Sequence, residues 1–415
     1  MKTEISRPQT PSPNSYSEIL FGKLRKEHAA DFLENESLVK LNYQEEIDLK
    51  NTALKDFWNL EKLPSKPADI ILSPKSRKYR TNSKRRAFLS RHVISLGFTG
   101  EGSRKKFRSF SPTLPELEPE EHLYIYRFLE EKLNERSNSV IARNLNYIII
   151  RGSYQEFSVI FNVFMLNAEI VRKLKHLAEC LRELPLNIVS SHILHSPAKS
   201  EYYFDNNAPS VNIPLKKLFG PDKNALMINS EKYMYHIMAF SQVNESILPS
   251  FLAKIRELLK PGGDERLFDL YCGYGIFSLY LRDSYNQIYG MDYSKFSISS
   301  AIDNLRHLKT AKSNIRFLSE DVSEKNLEKL WDKIPHDMPE AVILDPPRNG
   351  TGLAVIEAIS ERGPEKVLHI CCGIEKVPGT IRDWRDKGYR LKTAAPFDMF
   401  PGTANLETLL FFEKN

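Results

Sequence analysis

The chain has 415 residues, 41% of them hydrophobic and 27% charged, and its formal net charge is +6, all ordinary values for a soluble globular protein. No stretch reaches the roughly 18–20 apolar residues that span a bilayer. The polar segment 1–14 also lacks the apolar run of a secretory signal. Composition therefore argues against a membrane or secreted protein, and we expect a cytoplasmic protein of two or three domains.

Cysteine usage restricts the kinds of site that the chain could form. The four cysteines are Cys180, Cys272, Cys371 and Cys372. Adjacent cysteines rarely bridge each other, and the spacings do not match the paired pattern of a zinc site. A disulfide framework is not expected in a long chain without a secretion signal. An iron–sulfur cluster held by four thiolates would need all four cysteines, including Cys272, which lies in a glycine loop that is a candidate cofactor site. We therefore expect no metal and no iron–sulfur cluster.

The first segment, residues 1–72, is predicted to be an N-terminal extension that is partly helical or flexible. Between Tyr16 and Leu60, apolar residues recur at helical spacing among many charges, and the sequence "LPSKPAD" then ends the pattern. The sequence assigns no function to this extension.

Residues 73–235 are predicted to form an α+β domain. Two runs rich in β-branched and aromatic residues, 147–152 and 157–166, are typical of strands. Residues 167–184 have helical spacing, and a further strand is predicted at 210–215.

A basic run extends from Lys75 to Arg108, where twelve Lys or Arg residues accompany one acid and four aromatic residues. The run is either a solvated basic face or a surface that contacts the phosphates of a nucleic acid, and charge alone gives the two interpretations about equal weight. In the second interpretation Lys84, Arg85 and Arg86 are candidate RNA contacts. Reversing their charge is then expected to weaken RNA binding with little effect on cofactor affinity.

From residue 236 onward, short apolar runs alternate with helical stretches. The predicted strands lie at 266–272, 287–293, 315–321, 341–347 and 366–372, and two closing strands follow at 389–400 and 405–414. This alternation predicts an α/β fold with a doubly wound, mostly parallel sheet and a C-terminal hairpin. Right-handed crossovers would bring the C-terminal ends of the parallel strands to one edge, where ligands bind.

The loop after the first of these strands has features of a nucleoside site. Gly273 and Gly275 allow a tight turn before a helix, and the next strand ends in Asp292, whose carboxylate can accept hydrogen bonds from both ribose hydroxyls. A dinucleotide site would need a further small residue in the helix, so a cofactor without phosphates, such as S-adenosylmethionine, fits better. Alternatively, the glycines only make the turn.

Two prolines follow Asp345 at the end of the fourth strand. They hold the chain extended and remove two backbone donors, so the carboxylate can face a ligand at the sheet edge. The alternative is a strand that is simply ended by prolines.

Five motifs occur in the order "FSQVN", "DLYCGYGIFSL", "ILDPPRNG", "HICCG" and "FDMFPGTANLE". With them, residues 236–415 resemble the RNA uridine-5-methyltransferases, which modify uridines of transfer RNA and ribosomal RNA. The resemblance is faint over 73–235, where "YRTNSKRRAF" is similar to a basic strand of the family, and absent over 1–72. The ribosomal branch often carries a four-cysteine iron–sulfur site near the N-terminus, which this chain lacks, so the chain is nearer the transfer-RNA branch.

The resemblance implies a Rossmann-like S-adenosylmethionine methyltransferase domain over 236–415, preceded by an α+β RNA-recognition domain over 73–235. It makes Cys372 the nucleophile and Glu407 the base. It also implies cofactor contacts at Gln242, Tyr271, Gly273, Ile276, Asp292 and Asp345. Arg348 is a further candidate for RNA binding and for stabilising the thiolate, because a nearby cation lowers the pKa of a thiol.

These implied roles suit the chemistry of uracil, whose C5 is too weak a nucleophile to accept a methyl group unaided. A thiolate that adds to C6 makes C5 nucleophilic, and a base must later remove the C5 proton so that the thiol can leave. The implied partner is RNA, with tRNA favoured and rRNA as the second choice, and we expect a monomer.

Some positions depart from the family pattern. Gly373 and Ile374 replace an Asn-Pro pair after the nucleophile, Asn405 replaces a histidine, and Ile276 stands where an asparagine is usual. Two alternatives therefore stay open. One is a methyltransferase for an exocyclic nitrogen, against which "DPPR" argues; the other is a catalytically degenerate RNA-binding protein of the same fold. Without the resemblance, the adjacent cysteines would be interpreted as two small core residues.

Overall fold

The computed structural model describes residues 15–27, 38–99, 107–108, 116–196, 215–308, 314–348 and 350–415. Contacts divide the chain into two compact units. The first comprises 1–76, 247–293 and 310–415, and the second comprises 77–246 and 294–309. The N-terminal extension therefore groups with the C-terminal domain and does not form a unit of its own.

The helices are α1 (Tyr16–Glu27), α2 (Tyr43–Leu60), α3 (Glu120–Asn134), α4 (Ser139–Asn144), α5 (Ala168–Leu181), α6 (Leu248–Leu259), α7 (Ile276–Tyr280), α8 (Lys295–His307), α9 (Glu324–Trp331), α10 (Leu353–Arg362) and α11 (Val377–Asp386). The strands are β1 (Ser83–Ser90), β2 (Val93–Thr99), β3 (Phe107–Arg108), β4 (Leu145–Gly152), β5 (Phe157–Val163), β6 (Ile188–His195), β7 (Leu215–Phe219), β8 (Lys223–Ile228), β9 (Glu231–His236), β10 (Arg266–Leu270), β11 (Gln287–Asp292), β12 (Ile315–Ser319), β13 (Glu340–Leu344), β14 (Lys366–Cys371), β15 (Tyr389–Phe397) and β16 (Glu407–Lys414).

The first unit is built around a sheet with the strand order β12-β11-β10-β13-β14-β16-β15. The strands from β12 to β14 pair in parallel, whereas β16 pairs antiparallel with both β14 and β15. All residues of β10 and β13 are buried, as expected for central strands covered on both faces. The predicted Rossmann-like, doubly wound sheet and its C-terminal hairpin are confirmed. The order of the strands reverses between β10 and β13, so the switch point lies there.

The N-terminal extension forms helices and then an edge segment. The side chain of Asn42 caps α2 by accepting a hydrogen bond from the N–H of Glu45 at 3.0 Å. Apolar residues of α1 and α2 belong to the same buried cluster as Val367 and Trp384. The helices predicted within 16–60 are thus confirmed, and they are part of the core of the first unit.

The second unit contains a sheet with the order β3-β2-β1-β4-β5-β6-β7, together with the hairpin of β8 and β9. Within this sheet β5 and β6 are parallel and the other neighbours are antiparallel. The strands predicted at 147–152 and 157–166 and the helix predicted at 167–184 are confirmed as β4, β5 and α5. The strand predicted at 210–215 lies outside the described residues except for Leu215, where β7 begins. In the described ranges, every helix is too short or too polar to cross a bilayer.

Candidate active site

The loop between β10 and α7 is shaped by residues with left-handed backbone conformations. Tyr271, Gly273 and Gly275 have φ angles of 65°, 55° and 81°. Such a conformation is costly for a residue with a side chain, so Tyr271 marks a point of backbone strain. The N–H of Gly273 donates a hydrogen bond to Oδ2 of Asp292 at 3.0 Å. Two residues predicted to bind the cofactor therefore lie in direct contact, at the ends of neighbouring strands.

Asp269 is a buried carboxylate in this region to which the sequence assigned no role. Its Oδ2 accepts hydrogen bonds from the N–H and the hydroxyl of Ser278 at 3.0 and 2.6 Å. Its Oδ1 is buried without a partner among the described residues. Burial raises the pKa of Asp269 to about 7. The signal in the sequence was an acid among the apolar residues 267–270 of β10.

Asp345 follows β13 at the switch point of the sheet. Its N–H donates to the carbonyl of Leu270 at 3.3 Å, which ties the loop after β13 to the end of β10. Burial and the neighbouring charge of Glu407 raise the pKa of Asp345. The predicted position of this acid at the ligand-binding edge agrees with the observed topology.

Cys372, which directly follows β14, lies in a cluster with two carboxylates. Its Sγ is 3.6 Å from Oε1 of Glu407, 3.8 Å from Oδ1 of Asp345 and 3.7 Å from the carbonyl oxygen of Pro346. Register explains the first contact, because Cys371 of β14 is paired with Thr408 of β16 and the next residue on each side is Cys372 or Glu407. The structure thus brings the predicted nucleophile and the predicted base together.

The electrostatics of this cluster favour neutral forms. Burial, and then the charges of Glu407 and Asp345, raise the pKa of the Cys372 thiol. Burial also raises the pKa of Glu407 to about 7. The thiol therefore carries its proton at rest, beside a carboxylate that titrates near neutral pH. The ligand atoms of Asp345, Cys372 and Glu407 lie within 4.8 Å of one another, close enough for one metal ion, so the absence of a metal stays a prediction.

Cys371 has different surroundings from its neighbour. It is buried, and its Sγ lies 3.6 Å from the hydroxyl oxygen of Thr380. Burial raises the pKa of Cys371 to about 12. The carboxylates of Asp345 and Glu407 lie beside the sulfur of Cys372, so Cys372 is the better placed nucleophile of the two.

The predicted role of Arg348 in stabilising a thiolate does not match its surroundings. Arg348 is exposed, and its carbonyl oxygen accepts a hydrogen bond from the ammonium group of Lys376. Lys376 is the cation whose charge interacts with both Cys371 and Cys372. A lysine four residues after the second cysteine was the signal in the sequence for this cation.

Two further predicted cofactor residues belong to different units. Ile276 is buried and begins α7, directly after the glycine loop. Gln242 is half-buried and belongs to the second unit, in the segment after β9. Its contact with the cofactor stays a prediction.

The three basic residues predicted to bind RNA lie on β1, but they do not share one environment. Lys84 and Arg86 are half-buried, whereas Arg85 is only 1% exposed. The guanidinium of Arg85 donates to both carboxylate oxygens of Glu118, at 2.9 and 2.6 Å, and stacks on Phe98 with 3.8 Å to the ring centroid. Because this cation is already paired and buried, the predicted phosphate contact of Arg85 is corrected to a structural role. Residues 100–106 of the basic run lie outside the described residues.

Comparison with known proteins finds a family model and several relatives that match parts of the chain. Residues 215–415 match the family model described as tRNA (Uracil-5-)-methyltransferase. An uncharacterized RNA methyltransferase of Caldanaerobacter subterraneus is 26% identical over 272 residues, which are 65% of this chain and 57% of that protein. The 23S rRNA (uracil(1939)-C(5))-methyltransferase of Pseudomonas aeruginosa is 34% identical over 174 residues, which are 42% of this chain and 37% of that protein. The matched parts thus cover less than two thirds of either relative.

One solved structure shares most of the fold. The tRNA (uracil-54, C5)-methyltransferase of Pyrococcus abyssi, in complex with S-adenosyl-L-homocysteine, is 20% identical and has a TM-score of 0.66. The match covers 91% of this chain and 85% of that one. Together with the motifs in "DLYCGYG", "DPPR" and "HICCG", these matches confirm the resemblance found in the sequence. Residues 215–415 of the chain are thus similar to the tRNA (uracil-5-)-methyltransferase family.

Proposed function

We propose that the protein transfers a methyl group from S-adenosylmethionine to C5 of a uridine in RNA. The observation that carries this proposal is the pairing of the Cys372 thiol with the Glu407 carboxylate at 3.6 Å. The chemistry needs both a nucleophile for C6 and a base for the C5 proton. A core role for Cys372 does not account for two carboxylates beside its sulfur.

The residues around the β10 loop fit the proposed cofactor. At Gly273 an added Cβ would meet no atom within 4 Å, so the loop leaves open space beside Asp292. The unpartnered Oδ1 of Asp269 adds a buried negative group. Tyr271, Asp292 and Asp345 would hold the nucleoside and the cationic part of S-adenosylmethionine, which supplies the methyl group when bound. Carboxylates suit such a ligand because it carries positive charge.

The chain's own groups account for the proton transfers. The positive charge of bound S-adenosylmethionine would favour the ionised form of Asp345, against the burial that raises its pKa. The sulfur of Cys372 then forms a bond to C6 of uracil, and its proton passes to the Asp345 carboxylate, 3.8 Å away. Glu407 thus stays ionised. Once C5 carries the methyl group, Glu407 takes the C5 proton, the bond between C6 and sulfur breaks, and the thiolate recovers its proton from Asp345. Every proton taken from the thiol is returned, and the C5 proton leaves through Glu407.

The substrate must present an unstacked uridine, because neighbouring bases hide C6 in a stacked strand. We propose tRNA as the first candidate. The family description supports it, and the cysteines of the chain do not form the N-terminal four-cysteine set of the ribosomal branch. A ribosomal RNA is the second candidate, which the Pseudomonas aeruginosa relative favours.

The proposal is tested with tRNA and rRNA transcripts, S-adenosylmethionine and the full chain. We expect 5-methyluridine in nuclease digests analysed by mass spectrometry. RNA containing 5-fluorouridine should become covalently attached to the protein, because a carboxylate cannot remove fluorine from C5. Cys372→Ala should abolish the attachment. RNA that binds without either product would support a degenerate RNA-binding protein, and methylation at a nitrogen would support the other alternative.

A further inference from the structure

The N-terminal segment, residues 15–27 and 38–76, contacts two loops of its own unit. One loop follows Cys372. The other, residues 398–406, connects β15 to β16 and leads directly to Glu407. The contacts span more than 340 residues of sequence, and each involves at least one charged side chain.

The first contact joins the start of α1 to the loop after Cys372. The backbone N–H groups of Tyr16 and Ser17 donate to the two carboxylate oxygens of Glu375 at 3.2 and 3.0 Å, and the Ser17 hydroxyl adds a third bond at 3.1 Å. Glu375 lies in the 3₁₀ turn Ile374–Lys376, three residues after Cys372. A carboxylate here satisfies N–H groups that have no partner within the helix, and it interacts favourably with the helix dipole.

The second contact is a buried ionic cluster between α2 and the loop before Glu407. The ammonium of Lys50 donates to Oε1 of Glu46 at 2.6 Å and to Oδ1 of Asp398 at 2.7 Å, and all three side chains are 0% exposed. The same Oε1 of Glu46 accepts the N–H of Gly402 at 2.6 Å. A buried ammonium needs close, well-aligned partners. The geometry of the loop is therefore coupled to the position of Lys50.

The pairing of β15 with β16 links the position of Asp398 to that of the predicted base, Glu407. Asp398 directly follows Phe397, and Phe397 is the partner of Glu407 in the pairing of β15 with β16. The same end of β15 is held from its other side, because the N–H of Asp398 donates to the carbonyl of Ile71 at 3.0 Å. Fixing Asp398 therefore fixes the backbone opposite Glu407.

The two contacts are made by helices that pack against each other, so we treat them as two anchors of one segment. The ring of Tyr16 packs edge-on against that of Phe57 with centroids 6.2 Å apart, and the Tyr16 hydroxyl donates to the carbonyl of Lys50 at 3.5 Å. Movement of one helix would therefore disturb the contacts of the other.

We propose that the N-terminal segment positions the catalytic pair, holding the Cys372 loop through Glu375 and the Glu407 loop through Lys50. This proposal rests on the function proposed above and adds two positioning residues to it. Glu375 and Lys50 act through the loops and do not touch the uracil. Loss of either anchor should change the rate of one chemical step while leaving the binding of S-adenosylmethionine unchanged.

The experiment compares Lys50→Met and Glu375→Gln with Lys55→Met, a matched control on the exposed face of α2, where the Lys55 side chain is 63% exposed. For Lys50→Met we expect a kcat at least tenfold lower, with covalent protein accumulating on ordinary uridine RNA because proton removal is slowed. For Glu375→Gln we expect attachment to 5-fluorouridine RNA to be at least tenfold slower. Both variants should bind S-adenosylmethionine within twofold of the wild type, and Lys50→Arg should recover part of the rate.

Folding is controlled separately, because Lys50→Met leaves Glu46 and Asp398 buried without their cation. The triple variant Glu46→Gln, Lys50→Met, Asp398→Asn removes the three charges together, and its fold is checked by circular dichroism and thermal unfolding. We expect the same kinetic defect in the folded triple variant. Wild-type rates in that variant and in Glu375→Gln would overturn the positioning role. A wild-type chain that forms neither product would overturn the proposed function instead.

Discussion

The sulfur of Cys372 and the carboxylate of Glu407 are 3.6 Å apart, although 35 residues separate them in the chain. The adjacency arises because β16 runs antiparallel beside β14, so the start of one strand meets the end of the other. Each group is carried by its own strand end. Replacing one should therefore leave the other in place, and the two chemical steps can be examined separately.

Glu407→Gln should slow turnover by about 10²- to 10⁴-fold, the usual contribution of a positioned general base. Because the thiol remains, the variant should accumulate a covalent complex with ordinary uridine RNA, detected by denaturing electrophoresis. Glu413→Gln is the matched control, since Glu413 is on the same strand with its side chain 43% exposed. Loss of turnover without a covalent complex would contradict the assignment of Glu407 as the base.

The rate should also depend on pH through Glu407. Burial raises the pKa of this carboxyl to about 7, and the base acts only when ionised. We therefore expect kcat to fall about tenfold for each pH unit below about 7. The remaining activity of Glu407→Gln should not show this fall. The measurement is kcat from pH 5.5 to 9 at saturating substrates. A profile that is flat across pH 7 in the wild type would argue against this base.

The same raised pKa predicts an effect on stability. Between the ordinary value of 4.5 and about 7, the folded protein keeps a proton on Glu407 that the unfolded chain has lost, so stability falls as pH rises through this window. A glutamine at this position cannot ionise, so the variant does not lose stability in this way as pH rises. At pH 8, Glu407→Gln should raise the free energy of unfolding by on the order of 2–3 kcal/mol, with no difference near pH 4. Urea unfolding at the two pH values checks this, and a destabilised variant at pH 8 would refute it.

Of the two adjacent cysteines, only Cys372 should be required for the chemistry. Cys372→Ser should lower methyl transfer by about 10³-fold or more, because a hydroxyl is a far weaker nucleophile than a thiolate. Cys371→Ser should stay within tenfold of the wild type, since the Cys371 sulfur lies beside the Thr380 hydroxyl, whereas the Cys372 sulfur lies beside the two carboxylates. Transfer of labelled methyl groups to RNA measures both. Equal losses in the two variants would leave the choice of nucleophile unsupported.

Substitutions on β1 should distinguish residues that bind RNA from residues that stabilise the fold. Lys84→Glu with Arg86→Glu should weaken RNA binding and reduce its salt dependence, as expected when phosphate contacts are lost, without changing affinity for S-adenosylmethionine. Arg85→Leu should instead destabilise the fold by about 3–5 kcal/mol, because Glu118 would stay buried without its partner. Filter binding at matched salt and urea unfolding distinguish the two effects. Unchanged RNA affinity in the double variant would remove β1 from the proposed RNA surface.

The sequence was sufficient for the architecture of the first unit because local patterns dominate there. Apolar runs such as 266–272 and 366–372, separated by amphipathic stretches, predicted β10 and β14 close to their observed limits. The pairing of Cys372 with Glu407 came from the family resemblance, since no local pattern relates the end of β14 to the start of β16.

The remaining features depend on contacts between distant residues or on which face of a strand is buried. The spacing within 16–60 predicted helices, but nothing local indicates that Lys50 meets Asp398, 348 residues later. Arg85 was grouped with its neighbours by charge. Its side chain points to the opposite face of β1 from those of Lys84 and Arg86, because side chains alternate along a strand. Alternation separates the three residues, but only the fold shows that Glu118 lies on the buried side.

The pairing of residues 68–71 with β15 has a consequence for solubility. Ala68 and Ile71 donate their N–H groups to the carbonyls of Ala394 and Pro396, at 3.0 and 2.9 Å, along the outermost strand of the sheet. An uncovered outer strand offers a template on which other chains can add and aggregate. Truncation before Ser73 would expose that template, so a shortened protein should self-associate even where its active-site residues are intact.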